Sequence, residues 1–243
     1  IEPDEGKISW KKHLTVGYLD QQAKLAPGLT IYEYLQTAFA KLYETSDKLN
    51  EIYMNDPTDE DLEKAGKLQE ILDANDFYEL DTKIQQVATG LGLDAIGYEH
   101  DVSKLSGGQR SKIILAKILL EQPDMILLDE PTNYLDTNHI DWLADYLNNF
   151  EGAFIVISHD YNFLDRIINC VADFEFGKIT KYTGTLNQAL KQKAANKETY
   201  MKAYVKQQDQ ISKTKAYIRK FKAGSRSKSA KSREKQLSHM DVL

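Results

Sequence analysis

Two short motifs carry most of the chemistry this chain can do. Leu105-Ser106-Gly107-Gly108-Gln109 opens a stretch in which Ile113, Ile114, Ala116, Leu119 and Leu120 recur with helical spacing. Ser106 therefore stands at an N-cap with Gln109 three residues on, as in a capping box. Gly107 and Gly108 leave the first backbone N–H groups open to close approach, and the positive end of the helix dipole favours an anion there. The spacing predicts a phosphate-reading helix start. Downstream, the apolar run Met125-Ile126-Leu127-Leu128 ends in Asp129-Glu130 and is bounded by Pro123 and Pro131, as expected for a strand buried on both faces of a parallel sheet. Ligands collect at the carboxyl ends of such strands. There the first carboxylate can hold a hydrated Mg2+, and the second can orient or deprotonate an attacking water. A second apolar run, Ala153 to Ser158, ends in His159-Asp160 and brings an imidazole to the same edge, where it can hydrogen-bond a γ-phosphate or that water.

The elements that must position these groups follow an α/β order. A short strand carries Val16 to Gln21, and Pro27-Gly28 turns the chain. From Ile31 to about Ala88 the periodicity becomes helical. Leu35, Phe39 and Leu42 line one face and Leu62, Leu68, Ile71 and Leu72 another, with Asn55-Asp56-Pro57 between them, which predicts two helices folded as a hairpin. Ile84, Val87, Leu91 and Leu93 lead back to the glycine pair. After His159, Val171 to Phe176, Gly177-Lys178 and Ile179 to Tyr182 read as an antiparallel hairpin. Leu186 to Phe221 lacks glycine and proline and places Tyr204, Ile211 and Ile218 seven residues apart, which predicts a long helix with a narrow seam. Ala223 to Ser229 breaks it, and Lys231 to Leu243 can start a returning helix.

Charge divides the chain. Of the net −6, residues 191 to 243 hold 15 Lys+Arg against 4 Asp+Glu, an excess of +11, which leaves −17 on residues 1 to 190. An acidic body repels nucleic acid, whereas a basic arm attracts its phosphates through counterion release. Arg226, Lys228, Lys231 and Arg233, interleaved with serine and glycine at the helix break, suit an RNA backbone; a plain coiled-coil spacer is the competing reading. With 243 residues and 42% hydrophobic content the chain can bury a core, and no apolar stretch approaches the length of a membrane span. A soluble, cytoplasmic protein is expected. Cys170 is the single cysteine, which excludes an intrachain disulfide or a cysteine-based metal cluster, and it reads as a small buried hydrophobe.

The order of the motifs is more specific than any one of them. Val16-Gly17-Tyr18-Leu19-Asp20-Gln21, then LSGGQ, then the acidic strand with Pro131-Thr132-Asn133-Tyr134-Leu135-Asp136, then Ser158-His159-Asp160, resembles the ATP-binding cassette (ABC) ATPases from their Q-loop to their H-loop. The resemblance implies ATP and Mg2+ as ligands. It assigns Gln21 to Mg2+ and the γ-phosphate, with Gln22 as the alternative one position away, and Asp129 to Mg2+. Glu130 becomes the catalytic base and His159 the H-loop switch, while Asn133 to Asp136 form the D-loop. Ser106, Gly107, Gly108 and Gln109 become the signature that closes over ATP bound to the opposite cassette. A departure matters equally: no G-x-x-x-x-G-K-[ST] loop occurs in the sequence. A chain that starts inside a cassette accounts for this, and such a piece is expected to be inactive by itself.

The Asn-Tyr-Leu-Asp D-loop and the helical insertion before the signature resemble the ABC-F branch. That resemblance implies an ATPase with two cassettes in one chain joined by a charged helical linker, acting on the ribosome and tRNA as a translation factor or antibiotic-resistance protein. Residues 1–184 then form a partial P-loop ABC ATPase cassette with an inserted arm at about 31–88. Residues 185–243 form a basic helical-hairpin linker toward the second cassette, truncated in this chain. Two rivals are the nucleotide-binding subunit of an ABC transporter and a noncatalytic RNA-binding module.

Overall fold

The computed structural model describes residues 5–20, 25, 27–175, 177–221 and 227–239, with the side chain of Ser227 outside the description. The chain divides into two compact units, residues 1–167 and 168–243.

The first unit is built on three parallel strands, β1 (Val16–Tyr18), β2 (Met125–Asp129) and β3 (Ala153–Ile157), with β2 central. A polar clip pins the start of the β1–β2 register. Thr15 donates to Asp124 Oδ2 from its backbone N–H and its hydroxyl, both at 2.8 Å, and the Asp124 N–H donates back to Thr15 Oγ1 at 2.9 Å. The backbone and hydroxyl bonds from Thr15 hold the Asp124 carboxyl below the ordinary carboxylate range. Its contribution to stability is therefore present above that range and lost as pH falls through the lowered value.

Helix α5 (Gly107–Glu121) covers one sheet face and is the most buried helix of the unit, with Ile113, Leu115 and Leu119 sealed from solvent. It lies so close to β1 that a Cβ on Gly17 would strike Ile118 and stand 3.0 Å from Pro123. Ile126 and Leu128 point to this covered face. The two-sided burial expected of β2 is met fully on this face alone, Met125 and Leu127 on its other face being half-buried. On the other side Val16, Tyr18, Ile155 and Ile157 are 38%, 54%, 55% and 61% exposed, because the helical layer packs against one face only among the described residues.

The inserted arm comprises α1 (Ile31–Gln36), α2 (Ala40–Met54), α3 (Asp59–Ala74) and the return helix α4 (Leu80–Gly90). Thr58 and Asp61 form the capping box that starts α3 after the Asn55-Asp56-Pro57 turn. The hairpin of α2 and α3 closes on Leu49, Ala65 and Leu72, flanked by Leu42, Ile52, Leu68 and Phe77. Leu62 and Ile71, expected on that apolar face, stand instead 46% and 47% exposed. The hairpin contact is narrow, and a residue one helical position off its seam faces water. Leu35 is fully buried, as are Ile84, Leu91 and Leu93 on the way back to α5. Helices α6 (Thr137–Asn148) and α7 (Tyr161–Ile167) complete the unit, tied where Arg166 bonds Asp141 and, at 3.3 Å, Asp145.

In the second unit, β4 (Cys170–Glu175) and β5 (Lys178–Thr183) form an antiparallel hairpin, followed by α8 (Leu186–Phe221) and α9 (Ser227–Ser238). Lys193 clips the first turns of α8 to the hairpin through Asp173 at 2.7 Å and Glu175 at 3.4 Å. Cys170 is half-buried rather than buried, because it sits at the open end of a two-stranded ribbon. Of the seam residues, Ile211 is buried and Tyr204 is 37% exposed. The returning helix starts at Ser227, earlier than Lys231, since the serine-rich stretch is compatible with a helix start. No helix among the described residues is long and apolar enough to cross a membrane.

The arm geometry generates a direct contrast. Leu72→Ala removes a sealed side chain and should cost about 2–5 kcal/mol, whereas Leu62→Ala should stay within about 0.5 kcal/mol. Urea unfolding followed by ellipticity measures both, and equal losses would contradict this packing.

Candidate nucleotide site

Helix α5 begins as its sequence dictates. The Ser106 hydroxyl accepts the Gln109 N–H at 3.3 Å, and Gln109 Oε1 accepts the Ser106 N–H at 3.0 Å. The Gln109 side chain is thus folded back onto the helix start. The N–H groups of Gly107 and Gly108 lie in the first turn, where the helix offers no acceptor of its own. Among the described residues nothing stands within 4 Å of a Cβ built on Gly107, so that side is open. Gly108 differs: a Cβ there would meet the Tyr134 ring at 2.8 Å. Its glycine is required by packing against the segment after β2 as well as by access.

The acidic edge is set by the parallel ladder. Asp129 is the last residue of β2 and pairs with Ile157. Glu130 then departs from the strand with φ +47°, a left-handed conformation that costs a non-glycine residue roughly 1–3 kcal/mol. Its N–H still donates to Ile157 O at 2.8 Å, so the turn is anchored to β3. The carboxylate swings toward the H-loop. Its Oε2 accepts the His159 N–H at 3.3 Å, and its Oε1 lies 3.4 Å from His159 Nε2. That second approach is within ion-pair reach but lacks hydrogen-bond geometry, and among the described residues Oε1 is a buried acceptor without a donor. The Glu130 side chain is 16% exposed and the His159 side chain 96% exposed. One group is shielded, and the other is presented to solvent.

Neighbouring hydroxyls brace this edge. Thr132 Oγ1 and Ser158 Oγ are 3.4 Å apart, and Ser158 Oγ accepts the Asp160 N–H at 3.1 Å. Asp160 in turn caps α7 through the N–H groups of Asn162 and Phe163. A small cavity is shared by Leu19, Ser111, Lys112, Glu130, Tyr134 and Leu135, so the end of β1, the second turn of α5 and the segment after β2 converge on the same carboxylate. Asp136 caps α6 by accepting the His139 N–H at 3.2 Å.

The structure thus brings Glu130 and His159 together and sets Tyr134 of the D-loop segment against Gly108 of the signature. Gln21, with its alternative Gln22, lies outside the described residues, as does Arg226. Lys228, Lys231 and Arg233 are exposed on α9, a regular helix rather than an irregular tip, because the helix begins before them. Arg233 stacks 4.0 Å over the Tyr217 ring of α8, so its guanidinium already has a partner within the hairpin. Sequence reading missed the roles of Tyr134 and His139. Their signals are the glycines they press on: Gly108 for the first, Gly92 for the second.

The donor set suits Mg2+-nucleotide. Mg2+ takes one or two carboxylates and completes its shell with water and phosphate oxygens; Asp129 at the strand end could supply such an oxygen ligand, and Glu130 Oε1, a buried acceptor without a hydrogen-bond partner among the described residues, follows it in the chain.

Comparison with known proteins agrees with this geometry. A family model described as ABC transporter matches residues 1–133, and a second model with the same description matches residues 172–243. The uncharacterized ABC transporter ATP-binding protein YfmM of Bacillus subtilis (strain 168) is 44% identical over 250 residues, 100% of this chain and 48% of that protein. The energy-dependent translational throttle protein EttA of Escherichia coli (strain K12) is 34% identical over 195 residues, 78% of this chain and 35% of that protein. ABC transporter F family member 2 of Arabidopsis thaliana is 34% identical over 245 residues, 97% of this chain and 36% of that protein. The chain spans about half or less of the length of these relatives. A crystal structure of the archaeal ribosomal stalk protein aP1 in complex with the archaeal ribosome recycling factor aABCE1 shares the fold, with a TM-score of 0.52 at 24% identity over 81% of this chain and 32% of that one. The matching family model, together with the acidic strand end and His159 on one sheet edge, shows that the chain belongs to the ABC transporter family and carries an ABC ATPase domain.

Proposed function

We propose that this chain is the hydrolytic edge and helical linker of an ABC-F-type ATPase that acts on the ribosome in the cytoplasm. The observation that carries the hydrolytic part is the Glu130 carboxylate, anchored through Oε2 to the His159 N–H and with Oε1 buried as an acceptor that has no hydrogen-bond partner among the described residues. An acceptor held in that way is positioned to take a proton from an attacking water. Mg2+, when bound, would supply charge neutralisation at the phosphate oxygens. Asp129 is its carboxylate ligand in this reading, with Gln21 as the further contact. His159, exposed beside Glu130, orients the water or the γ-phosphate. Ser106, Gly107, Gly108 and Gln109, with Asp136, face ATP held by a second cassette of the same protein.

The ribosomal part rests on three supports. Two of the relatives are named as a translational throttle protein and an F family member, and the fold neighbour as a ribosome recycling factor. The chain's charge is split between an acidic body and a basic arm. Helix α8 has 36 residues, a lever about 54 Å long at 1.5 Å per residue, with Lys228 and Lys231 exposed on the helix returning from it. In this reading residues 1–184 belong to the cassette and 185–243 to a linker that touches tRNA or ribosomal RNA. A translation-factor role is the version these supports favour. The name of the Bacillus relative favours a transporter subunit, and co-sedimentation with ribosomes against co-purification with membranes separates the two.

Two outcomes are expected of the intact protein. Glu130→Gln should slow ATP hydrolysis by about 10²–10⁴-fold while nucleotide affinity changes only a few-fold; hydrolysis at the parent rate would remove Glu130 from the role of base. Neutralising Arg226, Lys228 and Lys231 should lower the salt dependence of ribosome binding by about one in log–log slope for each phosphate that the hairpin no longer neutralises. Arg233 is better changed separately, because its replacement also removes the stacking on Tyr217. An unchanged salt slope in ribosome co-sedimentation would make the hairpin a spacer.

A further inference from the structure

The loop that ends in Asp136 is held from behind by one histidine. Asp136 Oδ1 accepts the His139 N–H at 3.2 Å, and Asp136 Oδ2 lies 3.4 Å from His139 Nε2. The other ring nitrogen, Nδ1, is 3.0 Å from Gly90 O. A carbonyl only accepts, so Nδ1 carries the hydrogen in this contact. Gly90 is the last residue of α4, and its carbonyl is among those that a helix leaves without an internal donor. The imidazole thus closes the end of the arm's return helix with one edge and faces the D-loop carboxylate with the other.

The fit around this tie is close. The ring lies on Gly92, where a Cβ would overlap it, and the Gly92 backbone is left-handed at φ +69°. Trp142, one turn on from His139 along α6, lies over Gly90 in the same way. The two glycines form a socket, and His139 and Trp142 fill it. A few residues earlier Tyr134 presses on Gly108 at the start of α5. Residues 134–142 therefore touch the end of the arm on one side and the phosphate-reading helix start on the other.

We propose that His139 is a positioning residue for the nucleotide site: it fixes the Asp136 carboxylate relative to the end of α4, so that displacement of the arm is passed to the D-loop. The role in turnover rests on the ATPase reading above; the mechanical tie does not. Asparagine at this position can place an amide N–H where Nδ1 stands and keep the bond to Gly90 O. Glutamine reaches instead toward the Nε2 position and abandons Gly90.

The test uses the intact protein as the parent and as His139→Ala, His139→Asn and His139→Gln. Amide hydrogen exchange is followed by mass spectrometry without nucleotide, alongside kcat and KM for ATP. The expected result is exchange at least fivefold faster in both 88–93 and 134–140 for the alanine and glutamine variants, with parent-like exchange in the asparagine variant. kcat should fall about tenfold in alanine and glutamine with KM within twofold, and recover in asparagine. If 134–140 exchanges at the parent rate in His139→Ala, or if asparagine and glutamine behave alike, the tie is overturned. A parent protein without turnover would sink the ATPase reading, while the exchange data would still decide the tie.

Discussion

The hydrogen bond from Glu130 N–H to Ile157 O, made just past the end of the parallel β2–β3 ladder, is the constraint on which the site depends. It forces the chain to leave β2 at a residue whose neighbour across the sheet leads directly into Ser158 and His159. Because the strands run parallel and in register from Met125–Ala153 to Asp129–Ile157, both strands release their polar ends on the same edge. The left-handed turn at Glu130 then aims the carboxylate sideways at the H-loop rather than along the strand. Backbone strain persists here because the bonds to Ile157 O and from the His159 N–H hold the turn in place.

Everything around this edge serves to keep it in one arrangement. Helix α5 delivers an anion-ready start because Ser106 and Gln109 close its first turn on themselves. Tyr134 fills the space over Gly108, and the Thr132–Ser158–Asp160 hydroxyl and cap network joins the two strand ends to α7. The arm is a separate lever with its own small core, and it reaches this region through the glycine socket of α4. The helices of the second unit carry the chain's basic excess.

Much of this was legible in the sequence, and the reasons are local. The span of α8 follows from a run without glycine or proline, the start of α5 from the Ser106–Gln109 spacing, and the β4–β5 hairpin from Gly177-Lys178 between apolar runs. What was not legible depends on which side of an element is covered. A continuous apolar run such as Met125 to Leu128 reads as buried on both faces, yet Met125 and Leu127 are only half-buried, and Ile155 and Ile157 of the neighbouring strand are more than half exposed. Helical periodicity placed Leu62 and Ile71 with Leu72, and only the narrow seam of the hairpin separates them. The left-handed backbone of Glu130 and the His139–Gly90 bond, which joins residues 49 apart in sequence, arise from tertiary fit that no local pattern records.

The central claim is that the helix start at Ser106–Gln109 and the edge of Glu130 and His159 are the surfaces that meet the terminal phosphate. Photolabelling of the intact protein with an ATP analogue bearing an aryl azide on its γ-phosphate, followed by peptide mapping, tests this most directly. The label should fall on peptides containing Leu105 to Arg110 and Ser158 to Asp160 and should be displaced by excess Mg2+-ATP. Displaceable labelling confined to other parts of the chain would contradict the account.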